Sequence, residues 1–206
     1  VDPEKNEDNT DVINRIDVHP DTVQRAVETL LRPEVYTRTI TVERYWDGGS
    51  SVTVTTVYVA GEWMRLDEVE ANGEIRHTIL GGGMSYIWYG NERKYYSGLA
   101  VLDQDAEQGI LTYEEILDLP VEKITRADYE ELEGLKCIYV EAQSEEEGYI
   151  ERYWVNVETG LLVAAEKVCN EAVVYRMAAL NISQDAVDQE IFTLPDNLVL
   201  YNPQES

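Results

Sequence analysis

Between residues 121 and 183 the chain is a succession of short runs rich in β-branched and aromatic residues: VEKITRADYEEL, LKCIYVEAQ, YIERYWVNV, LLVAAEKVC and AVVYRMAALNIS. The turns between them, EG, SEEEG, ETG and NE, hold two to five residues. Connections this short join only antiparallel neighbours, because a parallel pair needs a crossover of a dozen or more residues. The spacing predicts an antiparallel meander. The earlier part reads the same way, with VYTRTITVERYW, SVTVTTVYVAGEWMRLDEV, GEIRHTIL and MSYIWYG leading through NERK into YYSG. In VTVTTVYV the valines at 52 and 54 differ in parity from those at 57 and 59, so a β-bulge at Thr55 and Thr56 is expected to bring all four to one face.

Helices are few. HPDTVQRAVETLLRP predicts one over residues 20–31, with Pro20 in its first turn, Asp21 near its positive end, an apolar stripe of Val23, Ala26, Val27, Leu30 and Leu31, and Pro33 as its stop. TYEEILDL predicts a second, capped by Thr112. Eight or more antiparallel strands curl, and two helices are too few to cover them as a flat layer. The expected fold class is therefore α+β, mainly β: one strongly curved antiparallel sheet with the helices on its concave face. At 206 residues without an evident linker, positions 18–202 are expected to form a single domain. Residues 1–17 are polar, acidic and aperiodic, as a flexible spacer would be, and 203–206 form a polar tail. The spacer reads equally as a tether behind a membrane anchor or as a frayed terminus. The chain starts at Val1, so a removed upstream segment is expected, an export signal being one reading of it.

Charge narrows the partners. With 16 basic and 41 acidic residues the net charge is -25, which repels nucleic acid and anionic headgroups at long range. No apolar run approaches the roughly 20 residues of a membrane-spanning helix. A turn near Glu146 would set Cys137 about opposite Val155 and leave Cys169 near the next turn, too far for a disulfide. No metal or cofactor is expected, since His19 and His77 are the only histidines and the cysteines lack close-spaced partners. GGG at 81–83 precedes a strand and lacks the Lys and Ser/Thr of a phosphate loop. SEEEG and DQDAE lack the alternating ligands of a calcium loop and read as solvated turns. Ser85, Ser97 and Ser144 sit in no nucleophile elbow, neither histidine has an evident partner, and carboxylate pairs such as Glu114 with Glu115 are uninformative in so acidic a chain. The chain is not expected to be an enzyme.

The segments WMRLD, MSYIWYGNERKYY, GLKCIYVEA, RYWVNVETGLLVAAEKV and DQEIFTLPDNL, in this order after an amphipathic helix and two long strands, resemble the LolA-type lipoprotein-carrier superfamily across residues 20–200. That group includes LolB-like outer-membrane receptors, RseB-like periplasmic regulators and envelope lipoproteins. The resemblance implies an unclosed β-barrel of about eleven strands under a helical lid. It further implies export to the bacterial cell envelope, peripheral attachment through a removed N-terminal anchor, and a non-catalytic role holding a lipid acyl chain or a lipoprotein. The alternative it implies is a protein-interaction or sensory module of the RseB kind, with an envelope protein as partner.

The fifteen residues MSYIWYGNERKYYSG carry four tyrosines and a tryptophan in a chain with one phenylalanine. Two readings stand. Tyr86, Trp88, Tyr95 and Tyr96 pack a curved sheet, or Tyr86 and Trp88 line a ligand cavity together with Met64, Leu66, Tyr175 and Met177, where thioethers adapt to irregular apolar ligands.

Overall fold

The structure, a computed structural model, describes residues 17–70, 72–90, 92–100 and 110–201. The spacer (Asp17 apart), the tail at 203–206 and DQDAE lie outside the described residues. In chain order the elements are helix α1 (Val23–Glu28) and strands β1 (Val35–Trp46), β2 (Gly49–Ala60), β3 (Trp63–Val69), β4 (Ile75–Gly81), β5 (Met84–Tyr89) and β6 (Lys94–Leu99). Helix α2 (Glu114–Asp118) then precedes β7 (Ile124–Leu132), β8 (Leu135–Gln143), β9 (Tyr149–Asn156), β10 (Leu162–Cys169) and β11 (Ala172–Ala178), and the short β12 (Ile182–Ser183) and β13 (Val199–Leu200) follow. The protein is mainly β. Among the described residues the strand order has two ends, β13 and β7.

The chain divides into two compact units. A helical unit holds residues up to 32, 44–48 and 111–180; a hairpin unit holds 33–43, 49–110 and the residues from 181. In the helical unit the strand order is β11-β10-β9-β8-β7, all antiparallel, as the meander predicts. Cys137 is opposed by Asn156, one residue from the expected Val155, and Cys169 by Tyr149 and Ala172; both are free thiols. Val140, Tyr153, Ala165 and Met177 form one cross-strand row, all buried, with Ile138 and Val155 alongside. Each fully buried aliphatic side chain here contributes about 1.5–3 kcal/mol. Helix α1 lies against β8 and buries Val23, Ala26 and Val27, the i, i+3, i+4 stripe.

That helix is shorter than the predicted 20–31. Residues 19–22 form a turn in which the His19 carbonyl accepts from the Thr22 and Val23 amides, at 2.9 and 3.0 Å. At the other end the Arg32 guanidinium donates to the carbonyls of Val27 at 2.8 Å and Leu30 at 2.9 Å, taking up acceptors that another helical turn would have used. Burial holds the Arg32 pKa below its ordinary value, against the opposing influence of Tyr113, whose ring lies 3.4 Å beneath the guanidinium. The Gln24 amide reaches the carbonyls of Ile116 at 2.9 Å and Leu119 at 2.8 Å and so ties α1 to the end of α2. The β9–β10 turn meets the C-terminal end of α1. Buried Asn156 accepts from the Thr159 amide at 2.8 Å, and the Gly160 amide donates to the Asn156 carbonyl at 2.8 Å. Gly160 has φ +63°, and a Cβ there would lie 2.8 Å from the Leu31 carbonyl oxygen and 3.1 Å from the Leu30 Cβ.

The opposite face of the same five strands carries charge. Arg126, Glu141, Arg152, Glu166 and Arg176 form a single cross-strand row of alternating sign. Arg152 lies 3.1 Å from Glu141 and 3.7 Å from Glu166, and Arg176 lies 3.0 Å from Glu166. Arg126 takes Glu130 at 2.7 Å and sits over the Tyr139 ring at 5.0 Å. Burial alone would raise the Glu141 pKa, but hydrogen bonds from the Tyr139 hydroxyl at 2.9 Å and from Arg152 outweigh it and hold the carboxyl below the usual range.

In the hairpin unit the order is β13-β6-β5-β4-β3-β2-β1, with β12 paired to β1. The β2–β3, β3–β4, β4–β5 and β5–β6 hairpins are antiparallel, and the two-residue β13–β6 pair is parallel. The β-bulge expected at Thr55 and Thr56 is absent. The β2–β3 register runs from Val54 to Ala60 without a shift, so Val54 and Val57 point to opposite faces, and Val52, which shares parity with Val54, is 48% exposed. GGG is a hairpin device. Gly82 and Gly83, at φ +59° and +76°, make the β4–β5 turn, and Gly81 carries no Cβ because the Trp63 ring occupies its place, 2.1 Å from where a Cβ would stand.

Two stability predictions follow from the helical unit. Gly160→Ala should lose more than about 1 kcal/mol from its left-handed backbone alone, with the clash added. Gly148→Ala, at φ +84° with open space around it, should lose only the backbone part. Urea midpoints compare them, and equal losses would contradict the close approach to α1. For Glu141 the depressed pKa means stability that is full above its unfolded value, about 4.3, and is lost as pH falls through the lower folded value. Glu141→Gln should flatten acid denaturation while costing under about 1 kcal/mol at neutral pH, because the row is partly solvated; an unchanged acid limb would contradict it.

Candidate ligand-binding faces

Registers decide which of the six candidate residues meet. On β3, β4 and β5 of the hairpin unit, Met64 opposes Leu80 and Leu80 opposes Ser85, while Leu66 opposes Thr78 and Thr78 opposes Ile87. Directly opposed residues project to the same side, so these six share a face, with Val59 and Val57 of β2 added to it. Tyr86 and Trp88 belong to the other face. Tyr86 opposes Ile79, which opposes Arg65; Trp88 opposes His77, which opposes Asp67. The expected wall that joined Met64 and Leu66 to Tyr86 and Trp88 is therefore corrected: β4 intervenes, and its register gives the two pairs opposite parity.

Each face has its own character. The Met64 side is aliphatic. Val57 and Leu66 are buried, whereas Met64, Leu80 and Ile87 remain half-buried, so apolar atoms reach solvent beside a dry floor. The Trp88 side is covered. Trp88 is 4% exposed, stacked on the His77 ring at 4.9 Å with the Arg65 guanidinium 5.5 Å from its own ring. Asp67 accepts from Arg65 at 2.9 Å and pairs with His77 Nδ1 at 2.6 Å, so His77 has the partner that its sequence neighbours did not reveal. Arg65 also donates to the Ile191 carbonyl at 2.8 Å, and Phe192 lies 6.4 Å from Trp63. The EIFTLP segment, a 3-10 turn at Gln189–Phe192 opened by Asp188 accepting from the Glu190 amide at 3.0 Å, is thereby fastened over this face.

Tyr175 and Met177 lie in the helical unit. They share the buried face of β11, where Met177 opposes Ala165 and Tyr175 opposes Lys167. Burial pushes the Tyr175 hydroxyl up to about 12, with Arg44 opposing the shift. The unit's other face bears a groove of about 500 Å3. Its floor is the cross-strand pair Ala164 and Ala178, flanked by Trp154, Leu180 and the charged row. Trp154 tilts against Tyr139 at 5.0 Å and donates from Nε1 to Glu130 at 3.3 Å. Sequence reasoning missed this groove, although the period-two pattern of RYW and AAE on neighbouring strands carried its signal. Among the described residues no three His, Cys, Asp or Glu side chains gather as a metal site would require.

No protein-family model matches the sequence, and no curated protein does. Solved structures do. An uncharacterised conserved protein from Thermus thermophilus is similar at a TM-score of 0.56 and 8% identity, over 88% of this chain and 96% of that one. A LolA superfamily protein from Nitrosomonas europaea aligns at a TM-score of 0.42 and 11% identity, over 84% of this chain and 96% of that one. The lipoprotein LppX of Mycobacterium tuberculosis aligns at 0.43 and 9% identity, over 82% and 94%. At 8% identity the likeness to the Thermus thermophilus protein concerns the fold alone.

Proposed function

We propose that the protein is a non-catalytic binding protein of the bacterial cell envelope, attached at the membrane periphery, that takes up a lipid acyl chain or the acylated end of a lipoprotein. One observation carries the reading: the aliphatic face of the hairpin unit, where Met64, Leu80 and Ile87 stay half-buried over the buried Val57 and Leu66. Several contiguous half-exposed aliphatic side chains cost a folded chain apolar area that an apolar ligand recovers, at roughly 25 cal/mol per Å2. Methionine at the rim adds a side chain that repacks around chains of different shape. In this reading Met64 and Leu66 touch the ligand. Tyr86 and Trp88 hold the sheet rigid from behind, and Tyr175 and Met177, packed in the helical unit, are not contacts of this face.

A protein-interaction or sensory role is the second reading, favoured by the groove over Ala164 and Ala178. Its row of guanidinium and carboxylate groups offers both donors and acceptors, as a polar interface rim does.

Uptake of a fluorescent long-chain fatty acid separates the faces. The double variant Leu80→Gln with Ile87→Gln should bind at least tenfold more weakly, about 1.4 kcal/mol, whereas Tyr86→Ser on the covered face should stay within about twofold of the unsubstituted protein. Equal weakening by both, or no uptake by the unsubstituted protein, would contradict the lipid reading.

A further inference from the structure

We infer that Arg76 is the head-group contact of the aliphatic face and that the ligand it selects is a long-chain carboxylate; this rests on the lipid-binding reading above. Arg76 lies on β4 two residues before Thr78, so it shares the side of the sheet that carries Thr78, Leu80, Leu66 and Ile87. It stands at one end of that face. Leu80 and Met64 stand at the other, about 13 Å away at the rise of an extended strand. An apolar surface with a cation at one end has the layout of an amphiphile.

The guanidinium is placed to accept an anion. Arg76 is half-buried, and its Nε is shielded from solvent with no hydrogen-bond partner among the described residues. Arg65, Arg126, Arg152 and Arg176, which also lie on strands, each hold a carboxylate within 3.1 Å, whereas Arg76 makes no such pair among the described residues. With Nε shielded, a carboxylate reaches Arg76 end-on at its two terminal nitrogens, which present it with a bidentate fork. In a chain of net charge -25, an anionic head would be repelled elsewhere on the surface, so a local cation decides where it docks. Glu68 on β3 and Tyr89 on β5 are directly opposed to Arg76. Glu68 disfavours a head that carries more than a single negative charge. One cation beside one carboxylate favours a singly charged head over a multiply charged one.

Displacement of a neutral apolar dye, N-phenyl-1-naphthylamine, by palmitate, hexadecanol and a two-chain phosphatidylglycerol tests this on the whole chain. Palmitate should displace at least tenfold more tightly than hexadecanol from the unsubstituted protein. Arg76→Gln should erase that preference while leaving hexadecanol unchanged, Arg76→Lys should keep part of it, and Glu68→Gln should tighten palmitate severalfold. Circular dichroism melts confirm that the variants fold, and Glu68→Gln alone decides the matter should Arg76→Gln not fold. Palmitate and hexadecanol binding equally, palmitate unaffected by Arg76→Gln or Glu68→Gln, or phosphatidylglycerol outcompeting palmitate would each overturn the head-group assignment while the lipid reading survives. Dye and all three lipids failing to bind would overturn both.

Discussion

Alternation along a strand is exact to one residue, and everything this protein presents to a ligand depends on it. Side chains two apart share a side, directly opposed residues share a side, and a slip of one position would exchange the sides throughout. In the hairpin unit the unshifted registers of β2–β3, β3–β4 and β4–β5 collect Val57, Met64, Leu66, Leu80 and Ile87 on one side and Arg65, Asp67, His77 and Trp88 on the other. In the helical unit the same rule sets Val140, Tyr153, Ala165 and Met177 against α1's side while it aligns five charges of alternating sign behind them.

The registers are held by turns and covers that are individually modest. Gly82 and Gly83 supply the left-handed backbone that the β4–β5 hairpin needs, and the Asn156, Thr159 and Gly160 turn sets the spacing between β9 and β10 while meeting the end of α1. On the Trp88 side, Asp67 is shared by Arg65 and His77, and Arg65 passes on to the Ile191 carbonyl. A slip of β3 against β4 would part Asp67 from His77 and leave a half-buried carboxylate short of a donor. Polar contacts on the covered side thus fix which residues the open side displays, and that couples packing to function without a residue in common.

Strand existence and turn position were legible in the sequence because short polar turns and β-branched runs leave few alternatives. Two helices were legible in place, but α1 was not in length, since the Arg32 side chain closes its end from a position past the last helical turn. The assignment of faces was legible only within a strand. Met64 with Leu66, and Tyr86 with Trp88, were each paired correctly by period two, yet the parity between β3 and β5 depends on the register of β4, which no single run declares. The expected bulge at Thr55 and Thr56 failed for a related reason: Val52 is exposed, so nothing required all four valines to share a side. Long-range partners such as Asp67 with His77, and the charged row from Arg126 to Arg176, stay hidden until registers are known.

Methyl resonances read the central claim directly, because the two sides of β4 carry distinct reporters. With the Met, Ile and Leu methyls labelled, palmitate should shift Met64, Leu80 and Ile87, while Ile79, which is buried under the Trp88 side, stays in place. Shifts concentrated at Ile79, or no shifts at Met64, Leu80 and Ile87 under saturating palmitate, would contradict the account.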